Sequence, residues 1–212
     1  MSIKKIGVVG AGQMGNGIAH VAAQSGLDVL LHDVDEALVQ KGLKTIDKNL
    51  QRGVDKGKFS AEDKKAVLGR IRTTTSLADF ADRDLVVEAV VEKLDVKLEI
   101  FRELDRIVPS GRILATNTSS ISITEIAAAT ERPERVIGMH FMNPVPVMKL
   151  VEIIRGLGTS DATASEDRSL AETLGKTPIE CRDFPGFNET GPKFRRAWWP
   201  STRRFCHPVC GH

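Results

Sequence analysis

The chain has 212 residues, of which 41% are hydrophobic and 27% charged, and its formal net charge is +2. This composition is typical of a globular protein with one or two domains, and the near-balanced charge gives no indication of nucleic-acid binding. Because no run of about 18 apolar residues occurs, we expect no membrane span. The 3 cysteines are too few for a disulfide framework, which favours a reducing, cytoplasmic location.

Apolar strands and amphipathic helices alternate along most of the chain. The pattern predicts strands at 3–9, 28–32, 71–75, 85–90, 113–116, 136–140, 150–154 and 177–181. It predicts helices at 12–25, 36–55, 95–108, 123–129 and 162–174, and one more that begins at a Ser60–Asp63 capping box. This alternation predicts an α/β fold with a doubly wound, mostly parallel sheet and a helical hairpin insertion before the third strand.

The last 25 residues, 188–212, differ from the rest of the chain. They contain both tryptophans, 2 of the 3 cysteines and an excess of arginine, and they show no helical or strand period. We therefore expect a folded domain at 1–187 and a disordered tail at 188–212. One alternative is a zinc site, since the tail contains the potential ligands Cys206, His207, Cys210 and His212. Another is weak binding of the basic tail to nucleic acid or membrane. These four ligands lack a second half and a packed frame, so we predict no metal, no nucleic acid and no membrane partner.

A glycine motif marks the turn from the first strand into the first helix. Gly10, Gly12 and Gly15 fit the pattern G-x-G-x-x-G, and Asp33 ends the next strand, 21 residues beyond Gly12. The first glycine permits a tight turn, the second a close approach of backbone to a pyrophosphate, and the third close helix packing. A carboxylate at position 33 would bind ribose hydroxyls and repel a 2′-phosphate, which favours NAD over NADP. The motif thus predicts a Rossmann-type fold that binds NAD through Gly10, Gly12, Gln13, Met14, Gly15 and Asp33.

Polar side chains follow two later strands, where an open α/β sheet forms its ligand crevice. Asn117 and Ser119 follow one strand, and His140 and Asn143 follow the next. Glu152 lies within an apolar run, so we expect its carboxylate to be partly buried and to pair with His140. A histidine oriented by a carboxylate can take a proton from an alcohol while a hydride leaves for a nicotinamide. The alternative is a structural histidine whose hydrogen bonds are satisfied locally.

The segment GMHFMNPVPVMKLVE, residues 138–152, resembles the catalytic segment of 3-hydroxyacyl-CoA and 3-hydroxybutyryl-CoA dehydrogenases. The runs at 10–15, 117–120 and 183–187 are similar to that family as well, so the resemblance covers residues 3–187. It implies NAD-dependent oxidation of an (S)-3-hydroxyacyl-CoA to a 3-ketoacyl-CoA, and the reverse reduction. It also implies His140 as general base, Glu152 as its orienting partner and Ser119 as the residue that hydrogen-bonds the substrate oxygen. The cofactor contacts that it implies are Glu92, Lys97, Asn117 and Asn143. It implies a CoA contact at Lys56, for which a solvated surface lysine is the alternative.

The chain departs from the family after residue 187, where family members continue into a helical domain. That domain provides the family's dimer interface and covers the acyl-CoA, so we expect the tail to replace it and the homodimer to lack its interface. Two functions follow from the sequence. One is an enzyme acting on an acyl-CoA, and the other is an NAD-binding fragment with little or no turnover, because one domain supplies only part of the walls that exclude water.

Overall fold

The computed structural model describes residues 3–183, which form a single sheet with helices on both sides. The strands are β1 (Lys5–Val9), β2 (Asp28–His32), β3 (Ile71–Thr74), β4 (Leu85–Glu88), β5 (Ile113–Thr116), β6 (Val136–Phe141), β7 (Leu150–Arg155) and β8 (Thr177–Arg182). The α-helices are α1 (Gln13–Gln24), α2 (Glu36–Asp55), α3 (Ala61–Leu68), α4 (Leu94–Ile107), α5 (Ile123–Ala127) and α6 (Asp161–Thr173). The expectations for the tail, including the zinc alternative, lie outside the described residues.

The sheet has the order β3-β2-β1-β4-β5-β6-β7-β8. Neighbouring strands are parallel except for β6 and β7, which are antiparallel. All residues of β4 and β5 are buried, as expected for central parallel strands covered on both faces. The predicted doubly wound, mostly parallel sheet is therefore confirmed.

The core lies in two layers because successive strand residues point to opposite faces of the sheet. One layer packs Ile6 and Leu31 against Ile18 of α1 and Ile46 of α2. The other layer packs residues of the opposite face, such as Leu30 and Leu114, against α4 and α5, through Phe101, Leu104 and Ile126. No helix between residues 3 and 183 combines the length and apolar character needed to cross a membrane.

The element bounds agree with the sequence pattern to within two residues, and one difference is informative. The bounds of β2, α2 and β5 are those predicted, and the capping box of Ser60 and Asp63 begins α3. Strand β4 ends at Glu88, two residues earlier than predicted. There the Val90 N–H donates to the Glu88 carboxylate at 2.7 Å, so a side chain takes the place of the next strand hydrogen bond.

Candidate active site

The glycine turn joins β1 to α1 and is shaped by the absence of side chains. Gly10 has φ +101°, and a Cβ there would lie 2.7 Å from the Ala89 carbonyl oxygen. A Cβ on Gly15 would lie 1.7 Å from the Gly10 carbonyl oxygen, so only glycine lets α1 begin directly over the turn. Gly12 has open space around it and precedes α1 without a side-chain cap, which leaves helix N–H groups for an anionic ligand.

Asp33, directly after β2, connects the second strand to the glycine turn. Its Oδ2 accepts a hydrogen bond from the Ala11 N–H at 2.8 Å, and its Oδ1 accepts one from the Val34 N–H at 2.8 Å. The half-buried carboxylate lines a cleft of about 450 Å³ together with Gly12, Gln13 and Asn143. The arrangement fits a dinucleotide, because open backbone and a carboxylate face the same cleft.

His140 and Glu152 form a close pair on the antiparallel strands β6 and β7. The two residues are directly opposed in register, and His140 Nδ1 lies 2.7 Å from Glu152 Oε2. Their side chains are 18% and 14% exposed, so both are largely shielded but still reachable from solvent. The sequence-based expectation that Glu152 pairs with His140 is confirmed as a contact.

A buried cluster of charges lies at the ends of β4 and β5. Glu88 is fully buried, and its carboxylate accepts hydrogen bonds from Lys97 Nζ at 2.6 Å and from the Thr116 hydroxyl at 2.7 Å. Lys97 is 1% exposed and also lies 3.4 Å from a Glu92 carboxylate oxygen. The sequence analysis does not include Glu88 among the site residues, although an acid within an apolar run is the same signal that marks Glu152.

Glu92 holds the loop that contains Ser119. Its Oε1 accepts hydrogen bonds from the backbone N–H groups of Ser119 at 2.8 Å and Ser120 at 3.0 Å, and from the Thr118 hydroxyl at 2.5 Å. Although burial raises the pKa of Glu92, the hydrogen bond from Thr118, the charge of Lys97 and the bonds from the loop lower it to about 2. The Ser119 hydroxyl is 3.4 Å from the same oxygen, a long contact that leaves it free to rotate toward a ligand.

Two amide side chains connect the strand ends to one another. The Asn117 Oδ1, just after β5, accepts the Phe141 N–H at 2.8 Å. Gln13 Nε2, in the first turn of α1, donates to Asn143 Oδ1 at 3.1 Å. The loop after β6 therefore reaches the glycine turn, although β5 and β4 separate their strands in the sheet.

The remaining predicted site residues lie on two different helices. Met14 is half-buried in the first turn of α1, next to the glycine turn. Lys56 is exposed and caps the C-terminal end of α2, in the hairpin with α3. The roles of Met14, Lys56 and Lys97 in binding stay predictions, and the buried position of Lys97 makes a carboxylate, rather than a ligand, its immediate partner.

A parallel sheet with a glycine turn, an uncapped helix N-terminus and a carboxylate after the second strand defines a dinucleotide-binding domain. The histidine–carboxylate pair near the same sheet edge is the kind of group that dehydrogenases use for proton transfer. Comparison with known proteins agrees with both features. Residues 5–184 match the family described as 3-hydroxyacyl-CoA dehydrogenase, NAD binding domain, and the chain belongs to this family, whose cofactor is NAD.

Similar proteins carry consistent names. The chain is 54% identical over 187 residues to a probable 3-hydroxybutyryl-CoA dehydrogenase of Bacillus subtilis, covering 88% of this chain and 65% of that protein. It is 56% identical over 183 residues to a protein of the same name from Deinococcus radiodurans, covering 86% and 66%. The crystal structure of (S)-3-hydroxybutyryl-CoA dehydrogenase from Ralstonia eutropha superposes with a TM-score of 0.85 at 49% identity, covering 89% and 66%. The chain thus spans just under two thirds of the length of these relatives.

Proposed function

We propose that this chain catalyses the NAD-dependent oxidation of an (S)-3-hydroxyacyl-CoA, with 3-hydroxybutyryl-CoA as its substrate, to the 3-ketoacyl-CoA. The observation that carries the proposal is the 2.7 Å contact between His140 Nδ1 and Glu152 Oε2 on opposed positions of β6 and β7. The names of the B. subtilis and D. radiodurans relatives support the substrate class.

The contact fixes which imidazole nitrogen can act as a base. An ionised carboxylate only accepts hydrogen bonds, so the Glu152 carboxylate requires the proton of a neutral His140 to be on Nδ1. Nε2 then carries the free lone pair and takes the proton of the substrate's 3-hydroxyl group. When bound, NAD supplies the acceptor for the hydride that leaves C3. The positive charge that forms on His140 is stabilised by Glu152 at hydrogen-bond distance.

Ser119 and Asn143 are proposed to orient the substrate and the cofactor. The Ser119 hydroxyl would donate to the oxygen on C3, because Glu92 holds its backbone but only weakly engages its hydroxyl. Asn143 would face the nicotinamide end of the cleft, where its side chain already meets Gln13. Lys56 is proposed to contact CoA from the hairpin.

The experiment follows NADH oxidation with acetoacetyl-CoA for the 212-residue chain and its His140→Ala variant, with NADH binding measured by fluorescence in both. In this reverse direction His140 returns the proton to the oxygen on C3, and general acid–base catalysis contributes about 10²–10⁴-fold, so we expect His140→Ala to lose that much turnover and keep its NADH affinity. Unchanged turnover in the variant would remove the proposal. NADH binding without turnover in the unmodified chain would instead support a cofactor-binding domain.

A further inference from the structure

The connection between β6 and β7 carries Asn143 but has little packing of its own. This β6–β7 turn, residues 142–149, joins the strand of His140 to the strand of Glu152. Val145 is its one fully buried side chain, at 2% exposure, and the others are half-buried or exposed. Buried apolar surface therefore anchors the turn at Val145 alone, and the position of its other residues depends on polar contacts.

Lys176 supplies two of these contacts from outside the nucleotide motif. Its ammonium donates to the Val145 carbonyl oxygen at 2.5 Å and to the Met148 carbonyl oxygen at 2.9 Å. Hydrogen bonds from a charged donor are stronger than those between neutral groups. Burial lowers the pKa of Lys176, which indicates that the ammonium is partly removed from water and that its two acceptors replace lost hydration.

The backbone around Lys176 is itself anchored. The Lys176 N–H donates to the Ala171 carbonyl oxygen at the end of α6, at 2.9 Å. The next residue, Thr177, donates from its N–H to the Lys149 carbonyl oxygen at 2.8 Å, where β8 begins alongside β7. The lysine therefore extends from a rigid junction of helix and sheet, and it can restrain the turn.

Helix α1 also contacts the turn. A Cβ on Gly17 would lie 2.8 Å from Val145 Cβ, so the glycine admits this side chain against the helix. One turn earlier on α1, Gln13 bonds to Asn143. One turn later lies buried His20, where burial and then the charge of Lys176 lower the pKa to about 4, so His20 is neutral at pH 7 and does not repel the ammonium.

We infer that Lys176 is a positioning residue for cofactor binding: it holds the β6–β7 turn against α1 so that Asn143 meets Gln13 at the glycine turn. The inference rests on the proposed contact of Asn143 with the cofactor and does not require acyl-CoA turnover. Lys176 itself bonds to the backbone oxygens of Val145 and Met148, and we assign it no direct contact with the cofactor.

The test compares Lys176→Met with Lys176→Arg, and uses Lys65→Met, an exposed lysine of α3, as the matched control. NADH affinity is measured by fluorescence, and the free energy of unfolding is measured in urea. Amide hydrogen exchange is followed at Val147 and Met148, whose N–H groups both donate to the Pro144 carbonyl oxygen. Loss of a charged hydrogen-bond pair predicts about a tenfold weaker NADH affinity for Lys176→Met. We also expect faster exchange at the two amides, with most of both effects restored by Lys176→Arg and no change in the control.

A purely structural role gives a different result. A lower free energy of unfolding with NADH affinity within twofold of the unmodified chain would overturn the inference. If Lys176→Met does not fold, Lys176→Gln, which keeps a neutral donor, takes its place under the same criterion, and failure of every variant to fold would also overturn it. Lack of turnover with acetoacetyl-CoA in the unmodified chain would count against the proposed function alone, because this test measures binding.

Discussion

His140 and Glu152 face each other across the one antiparallel strand pair among the described residues, with His140 Nδ1 2.7 Å from Glu152 Oε2. An antiparallel register places opposed side chains on the same face of the sheet, about 4.5–5.5 Å apart at Cβ. The reversal of β7 after the short 142–149 connection therefore brings the carboxylate to the imidazole.

Glu152→Gln tests the orienting role of this carboxylate. The amide has nearly the same shape but can also present its NH₂ group to Nδ1, which removes the preference for the correct tautomer. We expect turnover to fall by about 10²–10⁴-fold with NADH affinity unchanged. Steady-state NADH oxidation and fluorescence titration check this. Turnover within threefold of the unmodified chain would show that the contact is structural.

Asp33→Ala tests the choice of cofactor. Removing the carboxylate leaves the Ala11 and Val34 N–H groups without their partner and takes away the charge that would repel a 2′-phosphate. NADH should bind at least about tenfold more weakly, and the preference for NADH over NADPH should shrink. Asp33→Asn is the matched control, because it keeps an acceptor for Ala11 while losing the charge. An unchanged ratio of the two affinities in both variants contradicts the assignment.

Gly12→Ala and Gly15→Ala separate cofactor approach from folding. Gly12 has open space around it, so its alanine variant should fold with a loss of stability of about 1 kcal/mol or less and lose NADH binding. At Gly15 the added Cβ would meet the Gly10 carbonyl oxygen at 1.7 Å, so this variant should be destabilised by several kcal/mol. Urea unfolding and NADH titration of both variants decide the matter. Equal stability of the two would show that the turn relaxes around Gly15.

Asp167 makes stability depend on pH. This residue of α6 is fully buried, neither carboxyl oxygen has a hydrogen-bond partner among residues 3–183, and burial raises its pKa to about 8. The folded state therefore holds a proton that the unfolded state releases near its ordinary value of 3.8. The resulting stabilisation is complete below that value and is lost as pH rises toward about 8.

The matched variant for this prediction is Asp167→Leu, whose side chain has the same number and branching of heavy atoms and no titrating group. Urea unfolding from pH 5 to pH 8 should show the unmodified chain losing several kcal/mol relative to the variant, and little further change above pH 8. At pH 7 the variant should be the more stable of the two, because a buried unpaired carboxyl group costs stability. Parallel stability curves for the two proteins would show that Asp167 has a partner or is hydrated.

Most of the fold could be predicted because buried parallel strands have short apolar sequences that end at polar residues. β2 stops where Asp33 follows it, and β5 stops at the polar run that begins with Asn117. The apolar pattern does not specify the direction of β7, although the length of its connection to β6 is a sign of it. Only residues 142–149 separate β6 from β7, too few for the crossover helix that a parallel pair needs.

The candidate site was predictable where a motif or an isolated acid marks it, and not where tertiary packing creates it. Gly10, Gly12, Gly15 and the Glu152 carboxylate each stand out in the local sequence. Lys176 does not, because its partners Val145 and Met148 lie 31 and 28 residues away and are backbone oxygens. Asp167 is similar, since its burial follows from the packing of α6 on the sheet, and the polar sequence around it reads as solvent-exposed helix.

A double-mutant cycle on turnover tests the central claim most directly, with His140→Gln, Glu152→Gln and the variant carrying both changes assayed by NADH oxidation with acetoacetyl-CoA. If the carboxylate acts only through the imidazole, the double variant should turn over no more slowly than His140→Gln alone, because residues that act as a unit are strongly non-additive. Losses that multiply, so that the double variant shows the product of the two single effects, would contradict the account of His140 as a base oriented by Glu152.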